Sequence, residues 1–398
     1  MKENYYFDNA ATTWPKPEPV YQFMDSFFRS HGVNPGRSGH TLAVEAEQMI
    51  FATRRMLAEF FGHAGDPNRV VFTQNATDSI NLAIRGMVQN GDHIVISQLE
   101  HNAVLRTANH LQRDSNIAVS VVEAGDTGYL NVSEIIEALK PSTRAIVINH
   151  ASNVIGTVQN IEEIAAAAKQ HGVHLIVDSA QTAGVVPIDM SCGIDVLTFT
   201  GHKGLFGPMG IGGMIVGESV DLAPGRFGGT GVDSASLFQP DSYPHRLEAG
   251  TVSIPGIAGL NAAQKWFAEL GASLDAAAED HQTRCNRAIS HIHDREMSHI
   301  ERIANHLHAF DSVTVLGSGQ GPKVATMSFT VDGMIAQQVA EMLDADHYIC
   351  SRAGLHCAPR AHEAFGTSAN GAVRLSPGYF TEDEDVDHLL EALSEVLE

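Results

Sequence analysis

Short apolar runs recur between residues 69 and 217, and stretches with helical spacing separate them. Runs that are apolar throughout, rather than alternating with polar residues, are typical of strands buried on both faces. We therefore predict an α/β fold with a mostly parallel sheet of seven strands, covered by helices on both sides. The seven runs are residues 70–72, 94–96, 119–122, 145–148, 175–177, 196–199 and 211–216.

Two of the intervening helices have predicted ends. Residues 80–88 have helical spacing and precede Gly91, and residues 161–170 precede Gly172. Glycine commonly follows the last turn of a helix, because it adopts the left-handed conformation without a steric penalty. We therefore expect each helix to end close to its glycine.

The pattern changes after Gly259, where one helical stretch runs through Trp266 and a longer one from about residue 272 to residue 310. Two strand-like runs follow, which together predict a smaller α+β region. A chain of 398 residues also exceeds the size at which a single core usually stops growing. The predicted domains are a large one at residues 16–258 and a small one formed by residues 1–15 and 259–398.

Charge and cysteine content limit the classes of partner. The formal net charge of −22 repels phosphate backbones and anionic lipids, so we expect no nucleic-acid or membrane partner. The four cysteines form no C-x-x-C pair, which disfavours a disulfide framework or a zinc ribbon and favours a reducing compartment. The histidines lack metal-site spacing, and residues 1–5 lack an apolar signal segment, so we expect no metal and a cytoplasmic location.

One lysine has the setting of a catalytic amine. Lys203 lies in a short turn bounded by Gly201 and Gly204, directly after a predicted strand. Asp178 ends another apolar run, where its carboxylate can face the pyridinium nitrogen of pyridoxal phosphate. An imine-forming lysine and a buried acid are the typical pair for that cofactor. Alone, each is more often a solvated loop residue or a helix cap.

Polar side chains follow other predicted strands, and the carboxyl ends of parallel strands meet at one crevice. Ala76 and Thr77 begin a helix after the first strand, where a phosphate binds well, although Thr77 alone is more often a plain helix cap. His101 can stack on a flat ring, or be an ordinary loop histidine. Gln181 can hydrogen-bond the phenolic oxygen of the ring, and Asn153 either that oxygen or a substrate carboxylate.

Cys357 is a candidate nucleophile. It lies among Arg352, His356 and Arg360, a basic setting that favours the thiolate. The alternative is a small buried residue near the C-terminus, since free cysteine is among the most buried residue types.

These motifs together are similar to those of a known enzyme family. It resembles the class V aminotransferase family of fold-type I pyridoxal phosphate enzymes, and within it the cysteine desulfurases that carry an Arg-x-Gly-x-His-Cys motif. The resemblance covers nearly the whole chain, with the motifs in family order. The matching stretches are residues 7–12, 34–37, 100–101, 152–153, 178–181, 200–203, 248–251 and 352–357.

The resemblance implies a role for each cofactor-site residue, and places the cofactor in the larger domain. Lys203 would be the imine lysine, Asp178 the pyridinium partner and His101 the stacking residue. Thr77, Thr200 and His202 would be ligands of the phosphate. Thr251 would reach the phosphate of the neighbouring subunit, which implies a homodimer with active sites at the interface.

The resemblance also implies the reaction. L-cysteine would be converted to L-alanine, leaving a persulfide on Cys357 for transfer to a sulfur-acceptor protein. Arg374 would hold the substrate carboxylate in a bidentate manner, and Arg352 is a second candidate for substrate binding.

Two departures from the family pattern keep alternatives open. Leu355 stands where members of this group more often carry histidine, which is compatible with a side branch that uses another acceptor or substrate. Val252 and Ser253 replace the proline and asparagine that commonly follow this Gly-Thr. The alternatives are a selenocysteine lyase or another C–S lyase, or a non-catalytic regulator that binds the cofactor. The presence of Cys357 and Arg374 argues against the regulator.

Overall fold

The computed structural model describes residues 4–36, 39–317 and 319–397. Its strands are β1 Tyr5–Tyr6, β2 Val70–Thr73, β3 His93–Ser97, β4 Ala118–Val122, β5 Thr143–Asn149, β6 His174–Asp178, β7 Val196–Thr200, β8 Gly212–Val216, β9 Val313–Val315, β10 Met327–Val331, β11 Ile349–Cys350, β12 Arg352–Gly354 and β13 Ala372–Leu375. Its α-helices are α1 Glu18–His31, α2 Thr41–Phe60, α3 Ala76–Met87, α4 Asn102–Ser115, α5 Val132–Glu137, α6 Ile161–His171, α7 Ile254–Leu274, α8 His281–Leu307, α9 Ala336–His347, α10 Pro359–Ala364 and α11 Asp383–Leu397.

The large sheet has seven strands in the order β2-β8-β7-β6-β5-β3-β4. Strands β3 to β7 form the parallel part, and β8 runs antiparallel to both of its neighbours. Apolar clusters lie on both faces of this sheet, under helices such as α3, α4 and α7. The prediction of seven mostly parallel strands is therefore confirmed, and the strands are largely buried on both faces except for the edge strand β4, which is half-buried.

The two predicted helix ends have different outcomes. Helix α6 ends at His171, and Gly172 follows it in the left-handed conformation with φ of 67°, as predicted. Helix α3 ends at Met87, four residues before Gly91. The end comes early because Asp92 closes a separate turn, in which its carboxylate accepts a hydrogen bond from the backbone N–H of Gln89 at 2.7 Å.

The long helix predicted over residues 272–310 is wrong, because two helices share this segment. Helix α7 continues to Leu274, and α8 begins at His281. The break occurs where Asp280 caps α8, since its Oδ1 accepts a hydrogen bond from the Thr283 N–H at 2.8 Å. An aspartate three residues before a threonine is a usable start signal that the alanine-rich composition obscured.

The smaller region contains an antiparallel sheet in the order β12-β13-β10-β9, with α9 and α11 packed on its apolar cluster. Strand β1 pairs with β11, so residues near both chain ends lie together. Helix α8 contributes Ile289 to the large cluster and Ile303 to the small one. The domain boundary after residue 258 stays a prediction. None of the described helices is long and apolar enough to cross a membrane.

Candidate active site

A cavity of about 220 Å³ lies at the carboxyl ends of strands β5, β6 and β7, where the smaller region faces the large sheet. Open α/β sheets bind ligands at this edge. Every predicted site residue except Thr251 lines it: Ala76, Thr77, His101, Asn153, Asp178, Gln181, Thr200, His202, Lys203, Arg352, Cys357 and Arg374.

Lys203 lies in a turn that immediately follows β7. The backbone closes this turn, because the Gly207 N–H donates to the Gly201 carbonyl at 2.7 Å and the Phe206 N–H donates to the Lys203 carbonyl at 2.8 Å. Burial, followed by the positive charge of Arg374, lowers the pKa of Lys203 to about 8. A substantial fraction of this amine is therefore neutral near pH 8, as a nucleophile or base requires.

Asp178 ends β6, between Asn149 of β5 and Thr198 of β7. Its Oδ1 accepts a hydrogen bond from the Ala180 N–H at 2.9 Å. Burial nevertheless raises the pKa of the carboxyl, opposed by that hydrogen bond and by the charge of Lys203. A buried carboxyl in this state gains from a cationic N–H partner, so the position suits a protonated ring nitrogen.

His101 caps the N-terminus of α4 with its side chain. Its Nδ1 accepts a hydrogen bond from the Ala103 N–H at 3.0 Å, so the ring proton resides on Nε2. Burial, with a smaller contribution from Lys203, lowers the pKa of His101 to about 4. The ring at the cavity is therefore neutral at pH 7, which suits stacking on a flat ring.

Unpartnered polar atoms mark one end of the cavity. Thr200 Oγ1 and His202 Nδ1 are buried and have no hydrogen-bond partner among the described residues. Ala76 and Thr77 lie beside them in the first turn of α3, where backbone N–H groups have no partner within the helix. Free donors together with a helix N-terminus fit a phosphate group.

The smaller region contributes its own wall of the cavity, which includes the guanidinium of Arg374. From β13, this group donates to Asp8 Oδ1 at 2.6 Å and to the Asn153 carbonyl at 3.0 Å, while its buried Nε has no partner among the described residues. Asn153 Oδ1 is also buried and unpartnered. No role was predicted for Asp8, although it lies in the stretch of residues 7–12 that carries the resemblance.

Cys357 is the only exposed cysteine of the four, all of which lie in the described residues. The alternative that it is a small buried residue is therefore wrong. His356 and Cys357 have φ of 48° and 58°, a left-handed conformation that is uncommon for residues other than glycine and costs about 1–3 kcal/mol each. We call residues 352–357 the thiol loop. Arg360 does not line the cavity but lies in α10.

The chain matches known proteins along its whole length. A sequence model of the class-V aminotransferases matches residues 5–389. The chain belongs to this family. A probable cysteine desulfurase of Methanothermobacter thermautotrophicus is 30% identical over 403 aligned residues, covering 100% of this chain and 95% of the relative. A probable cysteine desulfurase of Vibrio cholerae is also 30% identical, covering 99% of this chain and 93% of the relative.

A solved structure supports the same family assignment. The apo structure of a cysteine desulfurase from Thermococcus onnurineus NA1 has a TM-score of 0.87 and 29% sequence identity. It covers 99% of this chain, and this chain covers 95% of it. The predicted fold-type I architecture and the predicted family are thus confirmed.

Glu100 lies beside the site, although no role was predicted for it. It directly precedes His101 and is fully buried. Its Oε1 accepts hydrogen bonds from Ser97 Oγ at 2.6 Å and from the Asn149 N–H at 3.0 Å, whereas its Oε2 has no partner among the described residues. Burial raises the pKa of Glu100 to about 8 despite these bonds. A protonated carboxyl therefore lies behind the cavity at pH 7.

Thr251 follows Gly250, which has a φ of 97°, and lines two other surface cavities. Neighbouring Glu248 forms a buried ion pair with Arg54 at 2.7 Å, which fixes the start of this segment. A role for Thr251 at a phosphate requires a second subunit and stays a prediction. Arg37, in the predicted stretch of residues 34–37, lies outside the described residues.

Proposed function

We propose that this protein is a pyridoxal phosphate-dependent cysteine desulfurase that converts L-cysteine to L-alanine and transfers the sulfur to Cys357. The observation that carries the proposal is one cavity with Lys203 and Asp178 on one wall and Arg374 and an exposed Cys357 on the other. The names of the relatives support the same activity.

The residues present fit this cofactor. Thr77, Thr200 and His202 would hold the phosphate, since the last two have free polar atoms at the helix N-terminus. Asp178 would pair with the ring nitrogen, and His101 would stack on the ring, while Gln181 and Asn153 are candidates for its phenolic oxygen. When bound, the cofactor withdraws electrons from the bonds at Cα of an attached amino acid.

The chain's own groups position the substrate and move its protons. Arg374 offers its buried, unpartnered Nε to the substrate carboxylate, a charge-assisted contact. Arg352 is a second cation on the same wall. Lys203, with a pKa of about 8, takes the proton from Cα.

Sulfur transfer is assigned to Cys357. Its thiolate attacks the sulfur of the substrate, so that an S–S bond forms while the Cβ–S bond breaks. The electron pair of the broken bond stays with carbon, which gains a proton to become the methyl group of alanine. The enzyme thiol becomes a persulfide, and a reducing thiol or an acceptor protein must remove that sulfur before the next cycle.

We also propose that the enzyme is a cytoplasmic homodimer with two domains per chain. The support for the homodimer is the position of Thr251, which lines no part of the cavity of its own chain and would reach the phosphate of its partner. Sedimentation of the cofactor-loaded protein should show a dimer. A fully active monomer would contradict this assignment.

Peptide mass spectrometry tests the proposed reaction. The cofactor-loaded enzyme, exposed to L-cysteine without reductant, should gain one sulfur on the Cys357 peptide and none on those of Cys192, Cys285 and Cys350. Cys357→Ala should retain the cofactor and bind cysteine yet transfer no sulfur, while Cys350→Ala serves as the matched control.

The same assay separates the alternatives. If Cys357→Ala released sulfide at the wild-type rate, the enzyme would be a C–S lyase, because no persulfide would be needed. A strong preference for selenocysteine over cysteine as substrate would indicate a selenocysteine lyase instead.

A further inference from the structure

A chain of hydrogen-bonded side chains lies behind the thiol loop. His356 Nδ1 is 3.2 Å from His362 Nε2, and His362 Nδ1 is 2.7 Å from Thr367 Oγ1. Both imidazoles are buried. His356 lines the cavity and directly precedes Cys357, whereas His362 lies in α10 and does not line it. The chain therefore connects the interior of the smaller region to the proposed sulfur acceptor.

The proton positions along this chain follow from one fixed acceptor. His356 Nε2 is 3.4 Å from the carbonyl of Arg352, and a carbonyl can only accept. His356 therefore carries its proton on Nε2, and its Nδ1 accepts from His362 Nε2. His362 Nδ1 is then an acceptor for the hydroxyl of Thr367.

Burial keeps both rings neutral, so that each holds a single proton. It lowers the pKa of His356 to about 3, with a further contribution from Arg374, and it lowers the pKa of His362 to about 4. Neutral imidazole has one donor and one acceptor, so keeping the bond from His356 to the Arg352 carbonyl sets the direction of the whole chain. The reverse direction would exchange that bond for the 3.5 Å bond from the Thr367 hydroxyl to the His362 carbonyl.

The backbone that these side chains support is strained. His356 and Cys357 are both left-handed, and such a conformation persists only where the surroundings impose it. Two bonds hold the backbone directly, from Asn153 Nδ2 to the His356 carbonyl at 2.6 Å and from the Asn102 N–H to the Cys357 carbonyl at 2.7 Å. Among the described residues, the side chain of His356 hydrogen-bonds to His362 and to the Arg352 carbonyl.

We propose that His362 is a positioning residue that acts through His356 to hold Cys357 in its left-handed conformation at the cavity. Without His362, the ring of His356 has a buried acceptor with no donor, and moving it relieves that deficit together with the backbone strain. The thiol then leaves the geometry in which it meets the substrate sulfur. The effect on sulfur transfer rests on the function proposed above, whereas the effect on the thiol and on the tautomer does not.

Three substitutions separate the contributions. His362→Phe keeps a ring but removes both nitrogens, His362→Gln keeps an N–H donor near the position of Nε2, and Thr367→Val removes only the hydroxyl. The matched control is His93→Phe, because His93 is also buried between two hydroxyls, Thr143 Oγ1 at 2.7 Å and Ser120 Oγ at 2.9 Å, but does not line the cavity.

The first measurement is the alkylation rate of Cys357 by iodoacetamide in the cofactor-loaded protein, followed on its peptide by mass spectrometry. His362→Phe should change this rate by about tenfold, as expected for the loss of one buried hydrogen bond, and His362→Gln should restore most of it. The visible spectrum and the KM for cysteine should stay near wild type while kcat for sulfur transfer falls. His93→Phe should leave the alkylation rate, the visible spectrum, the KM and the kcat unchanged.

The second measurement is the side-chain ¹⁵N spectrum of histidine-labelled protein, with His356→Gln used to assign the signals of His356. We expect His356 to carry its proton on Nε2 and none on Nδ1. We also expect its ¹⁵N signals to shift in the Thr367→Val variant. A proton on Nδ1 would overturn the inference, as would a folded His362→Phe protein with unchanged alkylation and transfer rates. If the His362→Phe protein does not fold, Thr367→Val is the deciding variant. We expect it to change the alkylation rate of Cys357 by about twofold or more, and an unchanged rate would contradict the inference. If the wild type itself transfers no sulfur, the proposed function fails while alkylation and tautomer still test this inference.

Discussion

The two walls of the cavity are built in different ways. His101 and Lys203 follow regular strands of the large sheet, Asp178 ends one, and main-chain hydrogen bonds hold all three segments; we call them the sheet wall. In the thiol loop, residues 352–354 pair with β13, but the exposed cysteine lies beyond this strand. It is carried on two left-handed residues, of which His356 is held by the side chains of Asn153 and His362. The side chains proposed for cofactor chemistry and the thiol proposed for sulfur transfer are therefore held by different contacts. Single substitutions should remove one function and leave the other intact.

The largest effect should come from Lys203→Ala, which removes the amine from the sheet wall. No other side chain lining the cavity offers a primary amine. Turnover should fall by at least about 10⁴-fold, since proton transfer and nucleophilic attack are both lost. The bound cofactor should also change its visible absorption, whereas iodoacetamide should alkylate Cys357 at the wild-type rate. Lys203→Arg is the control that keeps the charge; an unchanged spectrum in Lys203→Ala would remove the lysine from its proposed role.

Asp178→Asn should have the next largest effect, because an amide cannot keep the ring nitrogen protonated. We expect turnover to fall by about 10²–10³-fold, measured as alanine formed at saturating cysteine. The phosphate contacts of Thr77, Thr200 and His202 remain, so the variant and also Asp178→Ala should retain part of the cofactor. Normal turnover in either variant would break the pairing of Asp178 with the cofactor.

Arg374→Lys tests the wall that the smaller region contributes. A lysine keeps the charge but loses the forked contacts, so the KM for cysteine should rise by about 10- to 100-fold while the cofactor spectrum stays unchanged. The same change at Arg352 is the matched comparison for the second cation. Equal KM values for wild type and Arg374→Lys would place the substrate carboxylate elsewhere.

Glu100→Gln should change turnover least, by about threefold or less, because an amide resembles the protonated carboxyl in shape and hydrogen bonding. The pH dependence of stability should differ instead. Between pH 4.5 and about 8, folded wild type keeps a proton on Glu100 that the unfolded chain has lost. Its stability relative to the variant should therefore fall as pH rises through this window, by up to about 1.4 kcal/mol per pH unit.

Urea unfolding of both proteins at pH 5 and pH 8 measures that difference. Parallel stability curves would show that Glu100 is ionised in the folded protein. Glu100→Ala is the control, since it loses the bonds to Ser97 and Asn149 and should be less stable at both pH values.

The sequence predicted the sheet wall well because its physical signals are local. An apolar run directly predicts a buried strand, and residues at the C-terminal ends of neighbouring parallel strands lie at the same edge of the sheet. Asp178 and Lys203 therefore line the same cavity. The helix break at residues 275–280 was missed because an alanine run favours helix, and only the cap of Asp280 shows the restart.

The opposite wall was harder to predict in detail. Cys357 was identified from its basic neighbours and by resemblance, and Arg374 by resemblance alone. The left-handed backbone at His356 carries no sequence signal, since glycine, the residue that usually marks it, is absent there. The ion pair between Asp8 and Arg374 joins residues 366 positions apart, a contact that only the tertiary fold specifies.

That ion pair also constrains the order in which the site is made during synthesis. The strands of the large sheet are complete once β8 has been made, and α7 and α8, which pack on its apolar cluster, also precede residue 374. The substrate pocket cannot be complete at that stage, because Arg374 comes later and meets Asp8 only when β13 has been made. A nascent chain with all strands of the large sheet would thus still lack the guanidinium proposed to hold cysteine.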